Sequence, residues 1–330
     1  MVDILLYIIL ISIIVFVFIK LSSLRLFKFI LDRPNKKRKF HKKPTPLIGG
    51  IIIFSSIILY NFVIEESIQL EFIILVSFFF ILGFLDDIFN INAFLKLLGS
   101  LLILSIFINI FQLDQFYFYE IGVINLNNDF SIFFSILCIL LFVNSSNMID
   151  GIDGLSLSYF IILCIFLILN NQIGNNEFLI FLLVNLIIVI ILNLNQKLFL
   201  GDSGIYLICI IFAELIISNH KIEMSNENVY NKFYAENIFL LMLYPGLDML
   251  RLFMSRTLKG KSPFTPDRNH FHHMLLNKFN SKNALIIYSF LLVMPILTSS
   301  LININKLMLI SFWIIVYIST ILYLKKFNEN

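Results

Sequence analysis

The chain has 330 residues, of which 59% are hydrophobic and 14% charged, against roughly 25% charged in an ordinary soluble domain. Its apolar residues fall in long runs, many near the roughly 20 residues that a membrane-spanning helix requires. This composition excludes a soluble globule, a disordered chain and a nucleic-acid-binding domain, and the net charge of +3 matters less than where the charges lie.

In chain order the apolar segments lie near 3–19, 47–64, 71–85, 93–112, 131–146, 155–170, 177–194, 203–218, 236–253, 284–302 and 306–324. They predict an all-α polytopic membrane protein of about eleven transmembrane helices, a single domain over 1–330. The runs near 71–85 and 131–146 are the shortest and predict tilted or partly capped spans. The first run carries Asp3, with no basic stretch before it and no small-residue cleavage site, so it reads as a span and not a cleavable signal. Cys138, Cys164 and Cys209 sit inside apolar runs without a pairing pattern and read as packing residues.

Charge then orients the spans. If loops alternate sides, 21 of the 24 Lys and Arg residues fall on one side, ten of them from Lys20 to Lys43 and seven from Arg251 to Lys282. Only Lys221, Lys232 and Lys306 fall on the other. The positive-inside rule therefore predicts an outside N-terminus and a cytoplasmic C-terminus. The opposite connectors, with Glu65, Glu66, Glu71, Asp114, Glu120 and Asp129, carry nothing that suggests catalysis.

Carboxylates at the edges of spans are costly and therefore candidates for function. Gly83-Phe84-Leu85-Asp86-Asp87 ends the third run, Asn147-Met148-Ile149-Asp150-Gly151-Ile152-Asp153-Gly154 joins the fifth and sixth, and Phe199-Leu200-Gly201-Asp202-Ser203-Gly204 leads into the eighth. All three are expected on the cytoplasmic side beside the basic loops. Adjacent Asp86 and Asp87 repel each other, so both ionise readily only near a cation. Asp150 and Asp153, three apart, share a helix face or a tight turn. Asp202 between glycines at a helix start could offer a carboxylate and free amides together. Carboxylates backed by Lys and Arg suit a magnesium–phosphate site; helix capping is the plainer alternative for each.

The ninth loop, Ser262-Pro263-Phe264-Thr265-Pro266-Asp267-Arg268-Asn269-His270-Phe271-His272-His273, holds three of the five histidines. A zinc site fails for want of cysteines and a clear fourth ligand. Imidazoles beside Arg268 suit phosphate or nucleotide contacts better. The run His41-Lys42-Lys43-Pro44-Thr45-Pro46-Leu47-Ile48-Gly49-Gly50 reads most simply as a basic anchor on anionic headgroups.

Together with Asp248-Met249-Leu250-Arg251, these motifs, in this order from about 39 to 273, resemble the polyprenyl-phosphate N-acetylhexosamine-1-phosphate transferases (glycosyltransferase family 4). The nearer resemblance is to the undecaprenyl-phosphate N-acetylglucosaminyl-1-phosphate branch, the more distant to muramoyl-pentapeptide transferases. The resemblance implies a bacterial cytoplasmic-membrane enzyme with its active site in cytoplasmic loops. It would move N-acetylhexosamine-1-phosphate from a UDP-amino sugar to undecaprenyl phosphate, releasing UMP. It further implies Mg2+, with Mn2+ as an admissible substitute, no nucleic-acid partner, and leaves a homodimer open. Carried over by position, Asp202 is the principal metal ligand with Asp87, and Asp86, Asp87, Asp150 and Asp153 are the catalytic carboxylates. His41, Lys96, Asn147, Asn193, Arg268, His270, His272 and His273 would contact substrate, with Asn195 a rival to Asn193. Direct displacement and an aspartyl-linked intermediate both stay open, the former being simpler.

A proton-coupled transporter is the rival from another class, but it favours carboxylates in the middle of spans. An Asp-rich prenyl-transferring enzyme would have no use for the histidine loop. A modified amino sugar remains an alternative donor.

Overall fold

The computed structural model describes residues 2–22, 29–32, 44–63, 68–170, 176–225, 233–265, 267–302 and 304–328. Among them are helices α1 (Val2–Ser22), α2 (Gly49–Val63), α3 (Leu70–Phe89), α4 (Ala93–Ile106), α5 (Ile108–Phe111), α6 (Asn128–Met148), α7 (Leu155–Asn170), α8 (Asn176–Leu194), α9 (Gly201–Ser225), α10 (Ala235–Leu258), α11 (Phe271–Lys278), α12 (Ser281–Leu301) and α13 (Lys306–Asn328). Four short strands complete them: β1 (Leu31–Asp32), β2 (Thr45–Pro46), β3 (Gln115–Phe118) and β4 (Gly122–Asn125).

Each of the eleven apolar segments becomes a helix. Eight are long and apolar enough to cross a membrane, and three apolar helices, α2, α4 and α7, are shorter. The short ones are not those expected. Helices α3 and α6 run for 20 and 21 residues, because polar residues just beyond the hydropathy runs, Asp86-Asp87 and Asn147, continue the helical turn. Helix α4 has only 14 residues, about 21 Å at 1.5 Å per residue, since the run is interrupted at Phe107. The acidic connector after it is an antiparallel β3–β4 hairpin pairing Gln115 with Asn125 and Phe118 with Gly122.

Packing divides the chain into two compact units, Met1–Ile110 with Asn175–Phe212, and Phe111–Gly174 with Ala213–Asn330. In the first, α1, α2 and α8 pack on one another and α3 pairs with α4. Tyr7 of α1 lies between Tyr60 of α2 and Phe181 of α8, with ring centroids 5.9 and 5.3 Å away. One buried polar link, Ser56 Oγ donating to Asn185 Oδ1 at 2.7 Å, fixes α2 against α8.

In the second unit α10 packs against α6, α12 and α13, and α12 also against α7. The hairpin is pinned by side chains of α9 and α10. Both Glu236 carboxylate oxygens accept the Tyr119 amide, at 3.0 and 3.2 Å. His220 Nε2 accepts from the Tyr117 amide at 3.3 Å, which leaves Nδ1 to donate to the Phe233 carbonyl at 2.7 Å.

Candidate active site

In the first unit, five glycines let three chain stretches touch. The amides of Gly49 and Gly50 donate to the carbonyls of Phe199 and Leu200, both at 2.9 Å. A β-carbon at Gly50 would fall 2.3 Å from the Gly204 nitrogen, and one at Gly83 would fall 2.5 Å from the Asp202 carbonyl oxygen. Gly201 has φ +74, and a β-carbon there would meet Asp87 Oδ2 at 2.6 Å. Only glycine admits backbones this close. The Gly49-Gly50 stretch thus packs against the start of α9, a role beyond the membrane anchor its neighbours suggested.

That contact delivers Asp202. The Asp87 carboxylate accepts the amides of Asp202 at 2.8 Å and Ser203 at 3.1 Å, the geometry of an N-cap supplied from another helix. Asn90, in the left-handed conformation (φ 50), ends α3, and Asn92 caps α4 by accepting from the Phe94 amide at 3.0 Å. The resulting tight α3–α4 turn swings Lys96 back to Asp86. Lys96 Nζ lies 2.7 Å from Asp86 Oδ2 and 3.0 Å from Asp202 Oδ2. One ammonium therefore holds two carboxylates together.

Asn193 and Asn195 are now separable. Helix α8 ends in a Schellman-type turn, with Gln196 left-handed (φ 55) and the Lys197 amide bonded to the Leu192 carbonyl. Buried Asn193 donates to the Leu198 carbonyl at 3.2 Å inside that turn, whereas exposed Asn195 bonds back to Ile191 of its own helix. Asn193 shapes the loop that leads to Asp202.

The second unit gathers a different set. The Asn147 carbonyl accepts the Asp150 amide at 3.3 Å, Ser156 Oγ donates to Asp150 Oδ1 at 2.5 Å, and Gly154 takes φ +84, which closes the turn holding Asp150 and Asp153. Against this turn stands His272, since a β-carbon at Gly151 would fall 2.0 Å from its Nε2. The His270 and His273 rings lie 5.3 and 4.2 Å from that of His272. Burial, then the charges of His270 and Arg268, holds the His273 imidazole down at about 4. His272, 3% exposed and with Nδ1 lacking a hydrogen bond, is driven well below the usual histidine range by burial and then by His273 and His270. Both are neutral at pH 7. Arg268 is exposed beside them. His41 lies outside the described residues.

Helix α10 shapes the histidine loop. Arg256 donates to Asp267 Oδ2 at 2.9 Å and to the Pro263 carbonyl at 2.6 Å. Burial raises the Asp267 carboxyl, but the Arg256 bond and the Asn269 amide outweigh it and hold it below the ordinary range. Sequence reading found no signal for Arg256 and took Ser203 only as part of the Gly201–Gly204 motif; Ser203 lies buried at the start of α9. It also overlooked Glu214, midway along α9 and bonded to Ser218; an acidic residue four positions before a serine in an apolar run was the available signal.

The description "Glycosyl transferase family 4" matches residues 70–220, the stretch that holds Asp86, Asp87, Lys96, Asp150, Asp153 and Asp202. Undecaprenyl-phosphate alpha-N-acetylglucosaminyl 1-phosphate transferase of Haemophilus influenzae is 27% identical over 279 residues, covering 79% of this chain and 76% of that protein. The proteins of that name from Yersinia pestis and Escherichia coli K12 are 26% and 25% identical, each covering 78% of this chain and 73% and 72% of their own lengths. Over residues 70–220, therefore, the chain is similar to glycosyl transferase family 4.

Proposed function

We propose that this chain transfers N-acetylglucosamine-1-phosphate from UDP-N-acetylglucosamine to undecaprenyl phosphate, the first step in building a cell-surface glycan. The observation that carries the reading is Lys96 set between Asp86 and Asp202, with Asp87 fixing the backbone of Asp202. Relatives named for this reaction support it. An acceptor phosphate oxygen bonds to the β-phosphorus of the donor, the bond from that phosphorus to the bridging oxygen breaks, and UMP leaves with the electron pair.

The residues present fit a magnesium ion. Among the described residues no three His, Cys, Asp or Glu side chains form a ready-made cage, but magnesium commonly takes only one or two carboxylates and completes its shell with phosphate and water. Asp202, with the Asp86–Asp87 pair, supplies that donor set. A bound ion would neutralise phosphate charge as the new bond forms. Lys96 holds phosphate oxygen and keeps Asp86 and Asp202 together, and Asp86 is placed to take a proton from the acceptor phosphate. Asp150, Asp153, Asn147 and the three histidines contact the donor, with Arg268 drawing its diphosphate.

We place the site on the cytoplasmic side of a chain of eleven spans; the 21-to-3 charge asymmetry supports this. Purified protein given labelled UDP-N-acetylglucosamine and undecaprenyl phosphate should form labelled lipid and UMP only when magnesium is present. Transfer that survives chelation would remove the metal from the scheme. Transfer only from another UDP-amino sugar would change the donor and keep the chemistry.

A further inference from the structure

Helix α11 carries the histidines, and its start is held in an unusual way. His270 is the N-cap residue, yet its side chain makes no capping hydrogen bond. The first amide, of Phe271, donates instead to Asp248 of α10, at 3.2 Å to each carboxylate oxygen. Asp248 is 2% exposed and 23 residues earlier in the chain. A buried carboxylate at a helix start satisfies an orphan donor and the positive end of the helix dipole together.

Asp248 is itself locked by a closed ring of bonds. Arg251 donates to its Oδ1 at 2.6 Å and through Nε to the Tyr317 hydroxyl at 3.0 Å, while that hydroxyl donates to Asp248 Oδ1 at 3.2 Å. Arg251 also donates to the Asn269 carbonyl at 2.6 Å, so both sides of His270 are tied to the same pair. His270 Nδ1 lies 3.5 Å from Asp248 Oδ2. A ring with its Nδ1 turned toward a carboxylate presents Nε2 outward, the arrangement by which second partners orient functional histidines.

We propose that Asp248 is a positioning residue for the donor site: it takes over the capping of α11 and so frees His270 to stand with His272 and His273 against the donor's diphosphate. This rests on the transferase reading above. Neither the sequence motifs nor the comparisons give Asp248 a role.

The test compares Asp248→Asn and Tyr317→Phe with wild type in steady-state transfer, varying each substrate in turn. Asn keeps an acceptor for the Phe271 amide but loses the charge that Arg251 and His270 meet. Asp248→Asn should raise KM for the UDP-sugar about tenfold or more, while KM for the lipid phosphate stays within about twofold. Tyr317→Phe should move the same parameter in the same direction by less. Unchanged kinetics, or a loss shared equally by both substrates, overturns the proposal, because a merely structural role would not single out the donor. If Asp248→Asn fails to fold, Tyr317→Phe decides by the same criterion. A wild type that transfers nothing would sink the transferase reading. Hydrogen exchange would then judge Asp248 separately: amides 271–274 should lose protection in Asp248→Asn, and unaltered exchange would overturn its role.

Discussion

The Asp87 carboxylate accepts the Asp202 amide at 2.8 Å, although the two residues stand 115 positions apart. An acidic side chain at the end of one helix thereby becomes the N-cap of the helix that carries another acidic side chain. Replacing such a cap by alanine typically costs about 1 kcal/mol, and displacing a reacting group by about 1 Å can cost roughly 100-fold in rate. Asp87→Ala should therefore insert and fold with a slightly lower melting point yet lose at least that factor in turnover. A variant with near-normal turnover would show that the cap does not govern Asp202.

Lys96 competes with any metal for the same two carboxylates. Lys96→Gln should consequently bind magnesium more tightly while turning over about 10- to 100-fold more slowly, since one charged hydrogen-bonding partner of the phosphates is gone. A magnesium titration of activity reads both effects. An unchanged half-saturation point would place the ion away from Asp86 and Asp202.

The glycines divide by their surroundings. A β-carbon at Gly83 would overlap the Asp202 backbone, whereas at Gly246, inside α10, it would meet nothing within 4 Å. Overpacking of this kind costs about 1–3 kcal/mol, and removing a helical glycine stabilises by roughly 0.5–1 kcal/mol. Thermal unfolding in detergent should thus fall for Gly83→Ala and rise slightly for Gly246→Ala. Equal shifts would contradict the close approach of α3 and α9.

Acid should weaken the second unit through His273. Its folded pKa is near 4 against an ordinary 6.5, so between these values the unfolded chain binds more protons and stability rises with pH. Stability is complete above about pH 6.5 and is lost as pH falls toward 4. His273→Gln should flatten the melting-point slope across that window relative to wild type. Identical slopes would mean that His273 does not titrate with a depressed pKa.

Much of this protein is legible in its sequence. Hydropathy is a local property, so the eleven apolar segments each became a helix. The ordered motifs also singled out Asp86, Asp87, Lys96 and Asp202, which the structure joins in one network, since ionisable groups at the ends of apolar segments need partners to offset their cost. Helix lengths were less legible, since Asp86, Asp87 and Asn147 lower hydropathy without breaking the helical turn.

What the tertiary structure alone decided is which job each marked residue does. Asp86 and Asp87 are neighbours in the chain, but one meets Lys96 and the other caps α9. Asn193 and Asn195 look equivalent until the turn after α8 buries the first and exposes the second. Asp248 became the hub of the histidine loop only through bonds to residues 23 and 69 positions away. Local sequence sets the cost of burying a polar group, and the partner that offsets that cost is chosen by backbone packing across distant segments.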